Sequence, residues 1–176
     1  MEETANLATV RQSGIRYGLI GGVVSIAIFV IMIVAQVDIT AWYWKWIGYL
    51  ITGVLIFLAH KYYKENGNGF MPYGQGIGIG LWFGIISSAI SSVFTYIYVK
   101  FIDAGFIEAI KQKSVEDMEA KGMSSEQIDQ AMKFVEMFTT AEAMFLMGII
   151  FGIIGAVIIA LIVSIFTQKK HPEPTF

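Results

Sequence analysis

Few residues in this sequence have the type and spacing that chemistry requires. Histidine occurs twice, as His60 and His171, and cysteine not at all. Two distant histidines without a thiolate do not make a metal site. The lack of cysteine removes disulfides, a thiol nucleophile and S-palmitoylation. His60 ends an apolar run and His171 lies in a polar tail, so interfacial or solvated rings are expected. Carboxylates gather at Asp103, Glu108, Glu116, Asp117, Glu119, Glu126, Asp129, Glu136 and Glu142. They lack the spacing of a calcium loop, and a solvated acidic face is expected. The run Gly74-Gln75-Gly76-Ile77-Gly78-Ile79-Gly80 is glycine-rich like a phosphate cradle. No Gly-Lys-Ser/Thr follows it and no strand precedes it, so nucleotide binding is not expected. The chain therefore reads as non-enzymatic, with no catalytic, cofactor-binding or metal-ligating residue and no cofactor.

The strongest spacing signal belongs to small residues. Gly76, Gly80, Gly84, Ser88 and Ser92 recur every four positions, as do Gly148, Gly152, Ala156, Ala160 and Ser164, and Gly14, Gly18 and Gly22. Residues four apart share one helix face. Lipid supplies no hydrophobic drive between helices, so close backbone approach supplies the packing. The candidate helix-packing residues are Gly14, Gly18, Gly22, Gly76, Gly80, Gly84, Ser88, Gly148, Gly152 and Ala156. Their first use is assembly of the chain's own bundle, and the other is contact with a second copy or another membrane protein. A row of hydroxyls, Ser87, Ser88, Ser91, Ser92 and Thr95, is what a small channel or transporter would use. No Asp, Glu, Lys or Arg lies near the middle of a long apolar segment, which disfavours proton coupling. No proline-interrupted helix pair of the transporter kind occurs either.

These stripes need long helices to carry them. The chain of 176 residues is 56% hydrophobic and 15% charged, against about 25% charged in ordinary soluble domains. Four apolar segments, about 15–35, 42–60, 75–102 and 143–166, meet or approach the roughly 20 residues that span a bilayer. The fourth is richest in Phe, Leu, Ile and Val, and its insertion gains on the order of 5 kcal/mol or more. The third, interrupted by glycines and serines, is expected to depend on its neighbours. The second is flanked by Trp42, Tyr43, Trp44 and Trp46 at one end and Tyr62 and Tyr63 at the other, the two depths that aromatic rings prefer. The first is expected to be retained rather than cleaved as a signal, because Glu2 and Glu3 precede it and no small-x-small site follows.

Between the spans, 36–41 reads as a tight turn and 61–74 as a polar loop. Segment 103–142 is too polar for lipid. Ser124 with Gln127 forms a capping-box pattern. Ile128, Met132, Val135 and Phe138 follow at helical spacing, Phe106, Ile107 and Ile110 precede, and Gly122 is the expected break. Met118, Met123, Met132 and Met137 are expected to fill the core of this hairpin. Residues 168–176 read as a disordered tail. The fold class is thus all-α: one integral membrane domain, 1–176, forming a four-transmembrane-helix bundle with an extramembrane helical hairpin at 103–142. Lysine and arginine divide six against six between the two sides: Arg11, Arg16, Lys61, Lys64, Lys169 and Lys170 against Lys45, Lys100, Lys111, Lys113, Lys121 and Lys133. The first side is shorter, and two arginines precede the first span, so cytoplasmic termini and a periplasmic hairpin are expected. The net charge of −2 and the lack of a basic patch exclude nucleic acid as a partner.

The stretch 70–110 carries Gly69-Phe70, Gly74-Gln75-Gly76 and Tyr96-Ile97-Tyr98-Val99-Lys100-Phe101-Ile102-Asp103. With Gly122-Met123-Ser124-Ser125-Glu126-Gln127-Ile128, it resembles domain-of-unknown-function family 4199. Ala104 stands where that family usually has proline. The resemblance covers nearly the whole chain and implies a bacterial four-helix inner-membrane protein, with no activity or site residue attached. The expected role is a structural or assembly subunit in the lipid bilayer, binding other membrane proteins or itself. The alternative is a small channel or transporter without proton coupling.

Overall fold

The computed structural model describes residues 7–37, 42–103 and 105–170. It is all-α, with α1 Val10–Val34, α2 Trp42–Glu65, α3 Tyr73–Ile97, α4 Gly105–Ala120, α5 Ser125–Phe138 and α6 Ala141–Thr167. A π-helical turn, Tyr98–Ile102, extends α3. Three stretches, Val10–Val34, Tyr73–Ile102 and Ala141–Thr167, are long and apolar enough to cross a membrane, with mean hydropathies of 2.6, 1.8 and 3.1. Their order matches the sequence expectation: α6 is the most apolar and the glycine-rich α3 the least. The second expected span is not among the three found among the described residues. α2 carries Trp, Tyr and Lys in its first turns and Lys, Tyr and Glu in its last.

Local chemistry explains the helix ends. Thr9 caps α1, its hydroxyl accepting from the Gln12 amide while the Gln12 side chain accepts from the Thr9 amide. This box starts the helix five residues before the apolar run. Ser124 and Gln127 form the expected box on α5, and Thr140 caps α6. The expected polar loop 61–74 is shorter in the structure, because α2 runs on to Glu65 and α3 begins at Tyr73 behind Pro72. Proline is pre-organised for such a helix start. Gly69 at φ 80° and Gly122 at φ 76° make turns in left-handed backbone, as does Gln36 at φ 51° after α1. Residues 168–170 of the expected disordered tail fall within the described residues. There Lys169 exchanges both backbone hydrogen bonds with Met71, at 2.8 and 2.9 Å. The rest of that tail, including His171, lies outside the described residues.

α3 sits between α1 and α6. The α3–α6 contact sets small against small. A Cβ placed on Gly76 would meet Ser164, and one on Gly80 would meet Ala160. One on Gly84 would meet the Ala156 Cβ at 2.8 Å. From the other side, Gly152 would meet Ser88 at 2.6 Å and Gly148 would meet Ser92 at 2.5 Å. The two stripes therefore meet over five successive levels, running antiparallel. The α1–α3 contact instead sets small against large. Gly14 faces Trp82, Gly18 faces Ile86 and Gly22 faces Ile90. Each step of four on α1 matches a step of four on α3 in the same direction, so these helices are parallel. α2 runs back antiparallel to α1, with the Tyr17 and Tyr62 rings 5.9 Å apart and the Ala8 amide donating to the Asn66 carbonyl.

α4 and α5 form the expected helix-turn-helix on the far end of this slab. Phe106 on α4 enters an aromatic box with Phe29 of α1 and Tyr98, at centroid distances of 5.8 Å each. Val99, Phe106 and Ala141 are the buried centre of that junction. Asp103 makes the corner, accepting from the Gly105 amide at 3.0 Å and the Tyr98 hydroxyl at 3.2 Å. On the opposite side Lys100 donates to Glu142 at 2.6 Å and to the Tyr96 hydroxyl at 2.7 Å. Of the four hairpin methionines, Met118, Met123 and Met132 are half-buried, but Met137 is exposed beside Phe134 and Phe138.

Candidate functional site

Among the described residues, two clusters of polar groups lie among apolar ones in the bundle. The first is a pin at the end where α2, α3 and α6 converge near the chain termini. His60 is fully buried there, because Gly76 opposite it has no side chain and leaves room for the ring. Its Nε2 lies 3.0 Å from the Gly76 carbonyl and its Nδ1 lies 2.8 Å from the Thr167 hydroxyl. A carbonyl only accepts, so in the neutral ring Nε2 holds the proton and Nδ1 faces the Thr167 hydroxyl, whose one proton is shared with the Val163 carbonyl 2.9 Å away. Around it, Lys64 Nζ donates to the Thr167 carbonyl at 2.9 Å, and the Tyr63 hydroxyl donates to Gln75 at 2.9 Å. Ser164 is also fully buried, and its hydroxyl has no hydrogen-bond partner among the described residues. These contacts lock three helices together. The expectation of a solvated or interfacial His60 is corrected: the ring is an internal cross-link, its polar atoms taken up by partners that lie far away in sequence.

The second place is a cleft, farther along the bundle toward the hairpin. α2 is gripped at the pin, and toward its first turns Gly48, Tyr49 and Thr52 border an open space in which a Cβ on Gly48 would meet no atom within 4 Å. The opening is a cavity of about 330 Å³, and its hydroxyl wall is Thr52, Ser25, Ser87, Ser88 and Ser91. Phe83, Phe151 and Ile159 supply hydrocarbon, and Gly48, Gly148, Gly152 and Gly155 supply bare backbone. Helical serines commonly donate to a carbonyl one turn back. Here Ser88 donates to Gly84 at 2.6 Å and Ser91 to Ser87 at 2.9 Å. At the pin-side limit of the cleft, Ile56, Phe83, Ala156 and Ala160 form a buried apolar cluster.

The family model for proteins of unknown function DUF4199 matches residues 16–169, nearly the whole chain. The chain belongs to this family. No curated protein and no solved structure matches it. The sequence resemblance to family 4199 is therefore correct, and membership attaches no activity to any residue.

In this DUF4199 member the sequence-predicted packing residues fall into two groups. Gly76, Gly80, Gly84 and Ser88 line the face of α3 against α6, and Gly148, Gly152 and Ala156 are their counterparts. Gly14, Gly18 and Gly22 receive α3 side chains on its other flank. All ten are engaged within the chain. Sequence reasoning missed the pin and the cleft. The hydroxyl row was visible, but Thr52 and Ser25, which complete its opposite wall, come from helices with no such row. For His60, the available signal was a glycine and a serine stripe ending where a lone histidine closes an apolar run.

Proposed function

We propose that this DUF4199 member crosses a bacterial inner membrane four times and serves as a structural or assembly subunit, holding other membrane proteins or a second copy of itself without enzymatic turnover. The observation that carries this reading is the interlocked α1–α3–α6 slab. Small-on-small contact over five levels gives a platform whose helices have no room to slide, and an aromatic box seats a helical hairpin on its end. A rigid platform that displays a hairpin suits assembly. Helix direction supports the fourth crossing. Parallel α1 and α3 require the chain to return across the slab between them, and α2 is the element that returns. Its 24 residues reach roughly 36 Å at 1.5 Å per residue. The two arginines before the first span support cytoplasmic termini and a periplasmic hairpin. A conducting role needs a continuous polar path, and the cluster of Ile56, Phe83, Ala156 and Ala160 lies across it.

The test is purification from the host membrane in mild detergent, with quantitative mass spectrometry and a size measurement. A stoichiometric partner or a dimer is the expected result. Replacing the exposed Phe134, Met137 and Phe138 with serine is expected to weaken that association while the bundle stays folded. A lone monomer with no co-purifying protein overturns the proposal.

A further inference from the structure

We infer that the cleft between α2 and the α3–α6 slab is a binding site for an uncharged, hydroxyl-bearing lipid that enters from the bilayer. This goes beyond the assembly reading and shares with it only the membrane setting.

The volume, about 330 Å³, is at the small end of ligand sites, which run from about 300 to 1,000 Å³. No charged side chain lines the cavity. A carboxylate or phosphate drawn into it would lose its hydration and find no counter-charge. The inserted part of the ligand is therefore neutral. A ligand of hydrocarbon alone is a poor match as well, because hydroxyls from three helices converge on the space. Ser88 and Ser91 spend their protons on carbonyls of their own helix. Their oxygens then offer lone pairs, which a ligand hydroxyl satisfies by donating. Thr52 and Ser25, on the facing helices, have no hydrogen bond to another described residue. They are placed to donate to an ester carbonyl or to the ligand's own oxygen. Phe83, Phe151 and Ile159 leave an apolar strip for the chain. A group that donates, accepts and carries a chain is an alcohol or a partial glyceride.

A separate observation comes from the glycines. Gly80, Gly84 and Gly152 are each accounted for by a neighbour that a Cβ would strike. Gly48 and Gly155 are different: both line the cavity, and a Cβ on either would meet no atom within 4 Å. Glycine inside a helix costs roughly 0.5–1 kcal/mol relative to alanine, and no neighbour in the fold requires it at these two positions. What it leaves there is space, on two walls of the same cleft. The route in is lateral, because α2 is fastened at its His60 end and carries exposed apolar residues along its other half.

The experiment uses the full chain in phosphatidylcholine nanodiscs with two photoreactive probes, a diacylglycerol and a phosphatidylcholine. Diacylglycerol adducts are expected at 48–52 and 87–91, and unlabelled diacylglycerol should compete them away. Gly48→Leu, at a position where a Cβ meets no atom within 4 Å, extends a side chain into the cleft and should cut these adducts by about tenfold at an unchanged melting temperature. Thr52→Val keeps the shape, removes the hydroxyl, and should cut them about threefold to tenfold, the worth of one neutral hydrogen bond. Equal labelling of the cleft by the phosphatidylcholine probe would mean that ordinary bilayer chains fill it, and overturns the inference. So does diacylglycerol labelling spread evenly over lipid-facing positions such as Phe57 and Ile162, or undiminished in Gly48→Leu. Should Gly48→Leu fail to fold, unchanged labelling of Thr52→Val together with no competition has the same force.

Discussion

His60 shows what a single side chain contributes to this fold. Its ring ties α2 to a carbonyl of α3 and a hydroxyl of α6 in a site closed to solvent. His60→Ala removes both cross-links and leaves a void, while the Thr167 hydroxyl keeps the Val163 carbonyl of its own helix, and a loss of about 2–4 kcal/mol is expected. Tryptophan fluorescence during thermal unfolding in detergent would measure it, and an unchanged melting temperature would refute the pin. Ser164, its neighbour, predicts the opposite. Its buried hydroxyl has no described partner, so Ser164→Ala is expected to be neutral or to stabilise by about 1 kcal/mol. The sequence shows both residues but not the difference between them. The ring's partners lie 16 and 107 positions away, and only the fold brings them within bonding distance.

Helices and their pairings were legible to different depths. The four-residue stripes on α1, α3 and α6 are written in the sequence, since a 3.6-residue period makes one face of them. Which stripe meets which is not, because that depends on the relative shift and direction of two helices. The structure sets the α3 and α6 stripes level with each other and gives the α1 stripe large side chains instead. This pairing separates glycines that look alike. Gly80→Ala drives a methyl into Ala160 and should destabilise by about 1–3 kcal/mol through overpacking. Gly74→Ala, at a helical position where a Cβ meets nothing within 4 Å, should stabilise by about 0.5–1 kcal/mol. Unfolding midpoints of the two variants, measured side by side, check the pairing. Equal shifts would contradict the level-by-level contact. α2 was legible as a helix, but its aromatic and basic ends make it the least lipid-like of the four.

At the scale of the whole molecule, the prediction concerns sidedness. The chain has no cysteine, so single introduced cysteines report cleanly. Val37→Cys and Glu65→Cys flank α2 and should react with an impermeant maleimide from opposite sides. Lys121→Cys should react in intact cells, and Leu7→Cys and Lys170→Cys only after lysis. Reaction of the α2 pair from one side would remove the fourth crossing. The sequence by itself determined that this chain is helical and membrane-like, with small-residue faces, a capped polar hairpin between its last two long helices, and its family. Those properties reside in composition and short-range periodicity, which each segment carries alone. Only the tertiary structure decided which residues of α1, α3 and α6 meet, that His60 is an internal cross-link, and that a hydroxyl-lined cleft opens beside α2. A cleft is space between elements, and its walls come from residues that no local pattern joins.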